Sequence, residues 1–180
     1  TKGLTKLEEI YYADNMLTGN LDLSCYPNLQ YIDFRFNYFS SVNATGCSSL
    51  YSFEFGSNPL ISMDLSGCTS LEEICCNRTG DANDLESLES LNVSGCTSLK
   101  ILSCPYMQIK TVNVSGCTSL EDLDLCYNQL SDIDVIGFKS LKQLGIDNNR
   151  LTSLDVSGCT SLTGLFCYEN QLTNLNVRGC

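Results

Sequence analysis

The chain has 180 residues, carries 21 acidic against 10 basic side chains for a net charge of −11, and contains neither histidine nor tryptophan. The acidic balance disfavours nucleic acid and anionic membrane surfaces, and no apolar run approaches the ~18 residues of a membrane span. Without histidine the commonest general base and metal ligand are gone, so neither an enzyme nor a cofactor is expected.

One 21-residue unit runs through the whole chain. It is clearest at residues 151–172, LTSLDVSGCTSLTGLFCYENQL, where two half-phrases of similar design follow one another. Aligned on its SGC turn, one column reads Leu4, Tyr26, Cys47, Cys68, Cys96, Cys117, Phe138, Cys159 and Cys180. Eight coils therefore start near 4, 26, 47, 68, 96, 117, 138 and 159, and are numbered 1 to 8 below. Coil 1 has one extra residue near Gly19-Asn20, and coil 4 has seven extra between Asn77 and Glu89.

In chain order, one half-phrase predicts strands near 9–12, 31–34, 52–55, 73–76, 101–104, 122–125, 143–146 and 164–167. The other predicts extended segments near 21–23, 42–44, 63–65, 91–93, 112–114, 133–135, 154–156 and 175–177. Inward residues lie two apart within each, the strand period, as Leu165 and Cys167 do. No window sustains a 3.6 period, so almost no α-helix is expected. One coil cannot stand alone. Its apolar positions contribute roughly 1.5–3 kcal/mol each when buried, while ordering the backbone costs roughly 1–2 kcal/mol per residue. Only stacking on neighbours tips that balance.

The phrase L-x-x-L-x-C-x-x-N-x-L at 162–172 has the form of a leucine-rich repeat. MDLSGCTSL at 63–71, LNVSGCTSL at 91–99 and LDVSGCTSL at 154–162 resemble the bacterial leucine-rich repeats of the nested 21-residue class, found in surface proteins of Bacteroidetes and Firmicutes. The resemblance covers residues 1–180 and implies one mainly-β domain: a right-handed solenoid with two parallel β ladders and modest curvature. It departs from the pattern at Met107, where Asn is expected, at Tyr26-Pro27 and at Phe138-Lys139. A binding role is implied, with no particular partner. The chain reads as a mature or excised segment of a longer protein, extracellular or on the cell surface.

Three columns are candidates for chemistry. Six cysteines occupy the turn column and Cys76, Cys104 and Cys167 share a strand column; both sets read as free, buried structural thiols, since in-register Cβ vectors do not converge. Asn15, Asn37, Asn58, Asn128, Asn149 and Asn170 read as a hydrogen-bonded ladder within the turns. A third column alternates acid and amide, Asp22 to Asn176, and reads as solvated, with Asn interspersed because Asp beside Asp repels.

Outward positions of the first ladder are free to vary, and they are rich in acids and aromatic rings. Phe166 and Tyr168 lie among them, and Tyr106 and Tyr127 follow just past their strands. Arg78, Asp81 and Asp84 belong to the insertion at 77–89, expected to emerge on the same rim. These seven residues are the candidate ligand-binding set, suited to a protein, peptide or glycan through rings as platform and carboxylates as orienters. Two blander readings stand beside it: the rings cover the coil's own rim, and the insertion only packs Leu85 and Leu88 against the edge. A structural spacer in a cell-envelope complex is the competing role.

Overall fold

The computed structural model describes residues 6–76 and 88–180. It is a parallel β-solenoid with no helix among the described residues. The first ladder holds Glu9–Tyr11, Tyr31–Asp33, Ser52–Glu54, Glu73–Cys75, Ile101–Ser103, Asp122–Asp124, Gln143–Gly145 and Gly164–Phe166, eight strands separated by seven turns. The second holds Thr18–Asp22, Tyr38–Asn43, Ser62–Asp64, Ser90–Asn92, Thr111–Asn113, Ser153–Asp155 and Asn174–Asn176. Every pairing is parallel and all but one keep a single register, as in Leu123 beside Leu102 and Leu144. The extra residue of coil 1 is absorbed as a register shift between Gly19 and Asn20.

The core repeats with the coil. Central strand residues such as Ile32, Ile74, Leu102, Leu123 and Leu144 are buried, and so are Met63, Leu91 and Leu154 from the other ladder. Turn asparagines stitch coil to coil. The Asn128 amide donates to the carbonyls of Cys104, Leu125 and Cys126, and its oxygen accepts from Met107 and Ile109 N–H. Asn37, Asn58, Asn149 and Asn170 repeat this pattern. Met107 interrupts it, and a void of about 10 Å³ lies there between Phe55, Asn58, Leu60, Leu88 and Met107. Leu88 itself is buried, as the packing alternative required; Leu85 lies outside the described residues.

The SGC turn has a steric reason. Gly116 has φ +79°, and a Cβ there would sit 3.3 Å from the backbone nitrogen of Gly95 in the coil below. Only glycine fits both the left-handed backbone and that spacing. The acid/amide column supplies the other half of the turn: Asp64 accepts from Ser66 N–H, and Asn92 from Ser94 N–H. These side chains are turn caps as well as solvated groups.

Two ladder breaks depart from the expectation. The first ladder divides into sheets of three and five strands, between Ser52–Glu54 and Glu73–Cys75. There Phe53 fills a position that Ile or Leu holds in every other coil, and it packs edge-on to Phe34 at 5.2 Å. In the second ladder the segment expected at 133–135 forms no strand, although Ile133 and Val135 stay buried. Pairing it would put Asp134 beside Asp155, the one place in that column where two acids are neighbours. Like charges opposite one another destabilise a ladder.

The cysteines need correction at two points: Cys180 of the turn column is exposed and Cys167 only half-buried, and one pair is bonded. Cys47, Cys68, Cys96, Cys117 and Cys159 are free and buried as expected, and each thiol donates to a carbonyl of the coil below at 3.1–3.3 Å. Burial pushes Cys47 and Cys96 up to about 11 and Cys117 up to about 12. Cys76 and Cys104, in contrast, form a disulfide. Both follow immediately after their strands, where side chains are released from the pleat, and their Cα atoms are 4.5 Å apart. The link joins coils 4 and 5 across 28 residues, a closure that stabilises by about 3–4 kcal/mol on chain entropy.

Candidate ligand-recognition face

Outward positions of the first ladder alternate with its core positions, so coils 6 to 8 present Asp122 and Asp124, then Gln143 and Gly145, then Gly164 and Phe166. Two successive coils thus carry glycine where others carry side chains. A Cβ on Gly145 would meet Asp124 Oδ1 at 3.1 Å, and one on Gly164 would collide with Gln143 Oε1. The glycines let Asp124 and Gln143 lean across the next strand. What remains is an open trough of about 290 Å³. Asp122, Asp124, Asp147, Cys126 and Gln143 line it, Gly145 contributes to it and Phe166 walls it.

The electrostatics of the trough are one-sided. Asp122 is exposed, yet partial desolvation and then the Asp124 charge raise it above its ordinary value. Burial, and after it a hydrogen bond to Asp124, pushes the Cys126 thiol up to about 12. Asp147 is only 5% exposed and is held by neutral groups: Asn148 Nδ2 donates to it at 2.9 Å, and the Tyr168 hydroxyl hydrogen-bonds to it. Among the described residues, no ion pair involves Asp122, Asp124 or Asp147.

Beside the trough runs an aromatic strip. Tyr106 and Tyr127 stack with centroids 4.3 Å apart and planes 13° from parallel, and both are almost half exposed. Their backbones are left-handed, φ 62° and 54°, because the turn demands it in each coil; Asp14, Asn148 and Glu169 occupy equivalent positions at 50–55°. Small Asx residues adopt that region cheaply, whereas a bulky ring there costs roughly 1–2 kcal/mol. Tyr168 and Phe166 are also exposed. Tyr168 reaches Asp147 in the trough wall and feels Tyr127.

Of the four rings in the candidate set, Phe166 lines the trough, Tyr168 reaches it through Asp147, and the stacked Tyr127 and Tyr106 continue the strip beside it. Arg78, Asp81 and Asp84 lie outside the described residues. Gln143, Gly145 and Gly164 were not singled out from the sequence, although glycine twice running in an outward strand column is a legible signal. Two outward acids differ from expectation: Asp33 and Asp147 are buried rather than free to vary, Asp33 beneath Arg35 and Asp147 under its amide and hydroxyl partners. Among the described residues, no three His, Cys, Asp or Glu side chains are grouped to hold a metal ion.

A sequence model of the Leucine Rich Repeat matches residues 119–141. No curated protein sequence matches the chain significantly. Among solved structures, the functional domain of InlJ from Listeria monocytogenes, described as including a cysteine ladder, is 26% identical with a TM-score of 0.52. The alignment covers 98% of this chain and 45% of that one, so the chain spans less than half the length of that relative. The TLR13–ssRNA13 complex is 20% identical at a TM-score of 0.42 over 92% of this chain and 33% of that one. An internalin, InlF, from Listeria monocytogenes is 19% identical at 0.34 over 96% and 74%. Repeat phrase, stacked asparagines and a cysteine column converge on one architecture: the chain is a parallel β-solenoid whose fold matches that of leucine-rich-repeat proteins.

Proposed function

We infer that the chain is a non-catalytic recognition module that binds a protein, peptide or glycan ligand on the first-ladder face of coils 5 to 8. The observation that carries this reading is the join between the stacked Tyr106–Tyr127 strip and the trough through Tyr168 and Asp147. Tyrosine gives contact area at low entropy cost, and a carboxylate-lined hollow beside it supplies orientation. The Cys76–Cys104 link favours an oxidising, extracellular or cell-surface location, where such bonds persist.

A panel of immobilised peptides and glycans, screened with the folded chain, tests this. For any ligand found, Tyr127→Ala with Tyr168→Ala is expected to cost about 2 kcal/mol or more, roughly thirtyfold in affinity, as hot-spot rings do. Ile136→Ala, exposed on the opposite side, serves as control. Full affinity in a folded double variant would place the site elsewhere.

A further inference from the structure

The N-terminal part of the same face shows what the trough lacks. In coil 2, Asp33 closes its strand and accepts from Arg35 N–H at 3.1 Å. In coil 6, Asp124 holds the same strand position and accepts from Cys126 N–H at the same 3.1 Å. The backbone contact is identical. In coil 2, however, the Arg35 side chain folds back onto the carboxylate, with Nε 3.0 Å from Oδ1 and Nη2 2.7 Å from Oδ2. That bidentate pair fills the face. In coils 6 and 7 the position of Arg35 is taken by Cys126 and Asp147, so the guanidinium is replaced by a thiol and a further acid. Gly145 of coil 7 then opens space, Gly164 lets Gln143 lean aside, and the exposed ring of Phe166 in coil 8 closes the hollow.

We propose that the trough is a receptor for one arginine side chain of a peptide or protein ligand, whose guanidinium takes the place that Arg35 fills in coil 2. The fit is chemical at three points. Asp124 presents the same carboxylate as Asp33, in the same backbone setting. Asp122 adds a second charge, and Asp147 a buried one with only neutral partners; a carboxylate in that state gains from a delocalised cation that sheds water easily. Phe166 offers a ring on which a guanidinium plane stacks, and Tyr127 and Tyr168 flank the exit where the ligand's backbone would leave. The volume, about 290 Å³, is at the lower end of ligand sites and suits a side chain rather than a folded domain. This assignment rests on the ladder-face reading above and narrows it.

The test is a selection of random dodecapeptides against the whole chain, followed by resynthesis of the binders with citrulline, a neutral isostere, in place of each arginine. One arginine is expected to matter, its replacement weakening Kd at least about tenfold, as loss of a desolvated charge partner does. Asp124→Asn should weaken the arginine peptide similarly and the citrulline peptide hardly at all, because the asparagine oxygen can still cap Cys126 N–H while the charge is removed. Gly145→Val, which fills the hollow, crowds the Asp124 carboxylate and removes no charge, should also abolish the preference. Thermal melts confirm that each variant folds. No binding peptide, citrulline as good as arginine, or Asp124→Asn without effect would each overturn the assignment, as would a glycan that binds this face while peptides do not. If Tyr127→Ala destroys binding and Asp124→Asn does not, the arginine is wrong and the ladder face stands; if both are neutral, both readings fall.

Discussion

Coils 1–3 and coils 6–8 carry the first ladder on the same backbone, with asparagines stitching the turns and a left-handed residue just before them. Their outward residues diverge. In coil 2 a buried acid is neutralised by its own arginine, and Tyr11 and Tyr31 close together at 5.2 Å over the neighbouring strands. In coils 6–8 acids accumulate, glycines remove bulk and rings stand aside. The scaffold reserves certain positions for itself and leaves others uncommitted. A face can therefore be closed in one stretch and open in another without changing the coil.

If the scaffold is the same in both regions, removing its stitches should cost the same in both. Asn128→Ala and Asn37→Ala each strand several buried backbone groups, and each is expected to lose about 1–3 kcal/mol in denaturant melts. A large loss at one end only would show that the two regions are built differently beneath the surface.

The arginine in coil 2 sharpens the contrast from the other side. Arg35→Ala leaves Asp33, 6% exposed, with no cation, and is expected to destabilise by about 1 kcal/mol, since the pair still touches solvent through an arginine that is 45% exposed. The same variant should create in coil 2 a weak copy of the acidic surface in coil 6. Binding of free arginine amide there, followed by chemical shifts of Tyr31, would measure it. No shift at millimolar ligand would mean that carboxylates alone do not suffice without the glycine hollow.

Much of this was legible in the sequence, for a physical reason. Columns that serve the coil recur, so the asparagines, the SGC turn and the inward residues declare themselves by repetition. Features that arise between two particular coils do not recur. Cys76 and Cys104 bond because both leave their strands at the same point, which a column of cysteines does not reveal. Asp147 is buried by Tyr168 of the next coil, a neighbour 21 residues away. The trough is made by absent side chains, and an outward glycine looks like nothing until its neighbours are seen leaning over it.

The C-terminal region also carries the gap in the second ladder, and the one Asp beside Asp in that column offers its cause. Asp134→Asn removes the clash while keeping the oxygen that accepts from Ile136 N–H. A gain of about 0.2–1 kcal/mol is expected, with new protection of amides at 132–135 against hydrogen exchange. Unchanged protection would assign the gap to packing instead.

The smallest expected effects lie in acid, and there the two regions should answer with opposite sign. In coil 2 the hydrogen bonds from Arg35 hold Asp33 below the ordinary carboxylate value of 3.8. Its ionised form is favoured by folding, so that contribution is present above the unfolded value and disappears as pH falls through the folded one. In coil 6, partial desolvation and the charge of Asp124 hold Asp122 above 3.8. Folding there favours the protonated form, so its contribution is present below the unfolded value and is lost as pH rises through the folded one. Asp33→Asn should thus lower stability at neutral pH and Asp122→Asn should raise it, each by well under about 1 kcal/mol because both groups keep water contact. Near pH 3 the Asp122→Asn gain should have vanished, while part of the Asp33→Asn loss persists because the folded carboxyl is still partly ionised. Melts of the two variants at both values, at low salt, decide the matter. If Asp122→Asn destabilises at neutral pH, the trough already neutralises its own acids, and the space left for an incoming cation closes with it.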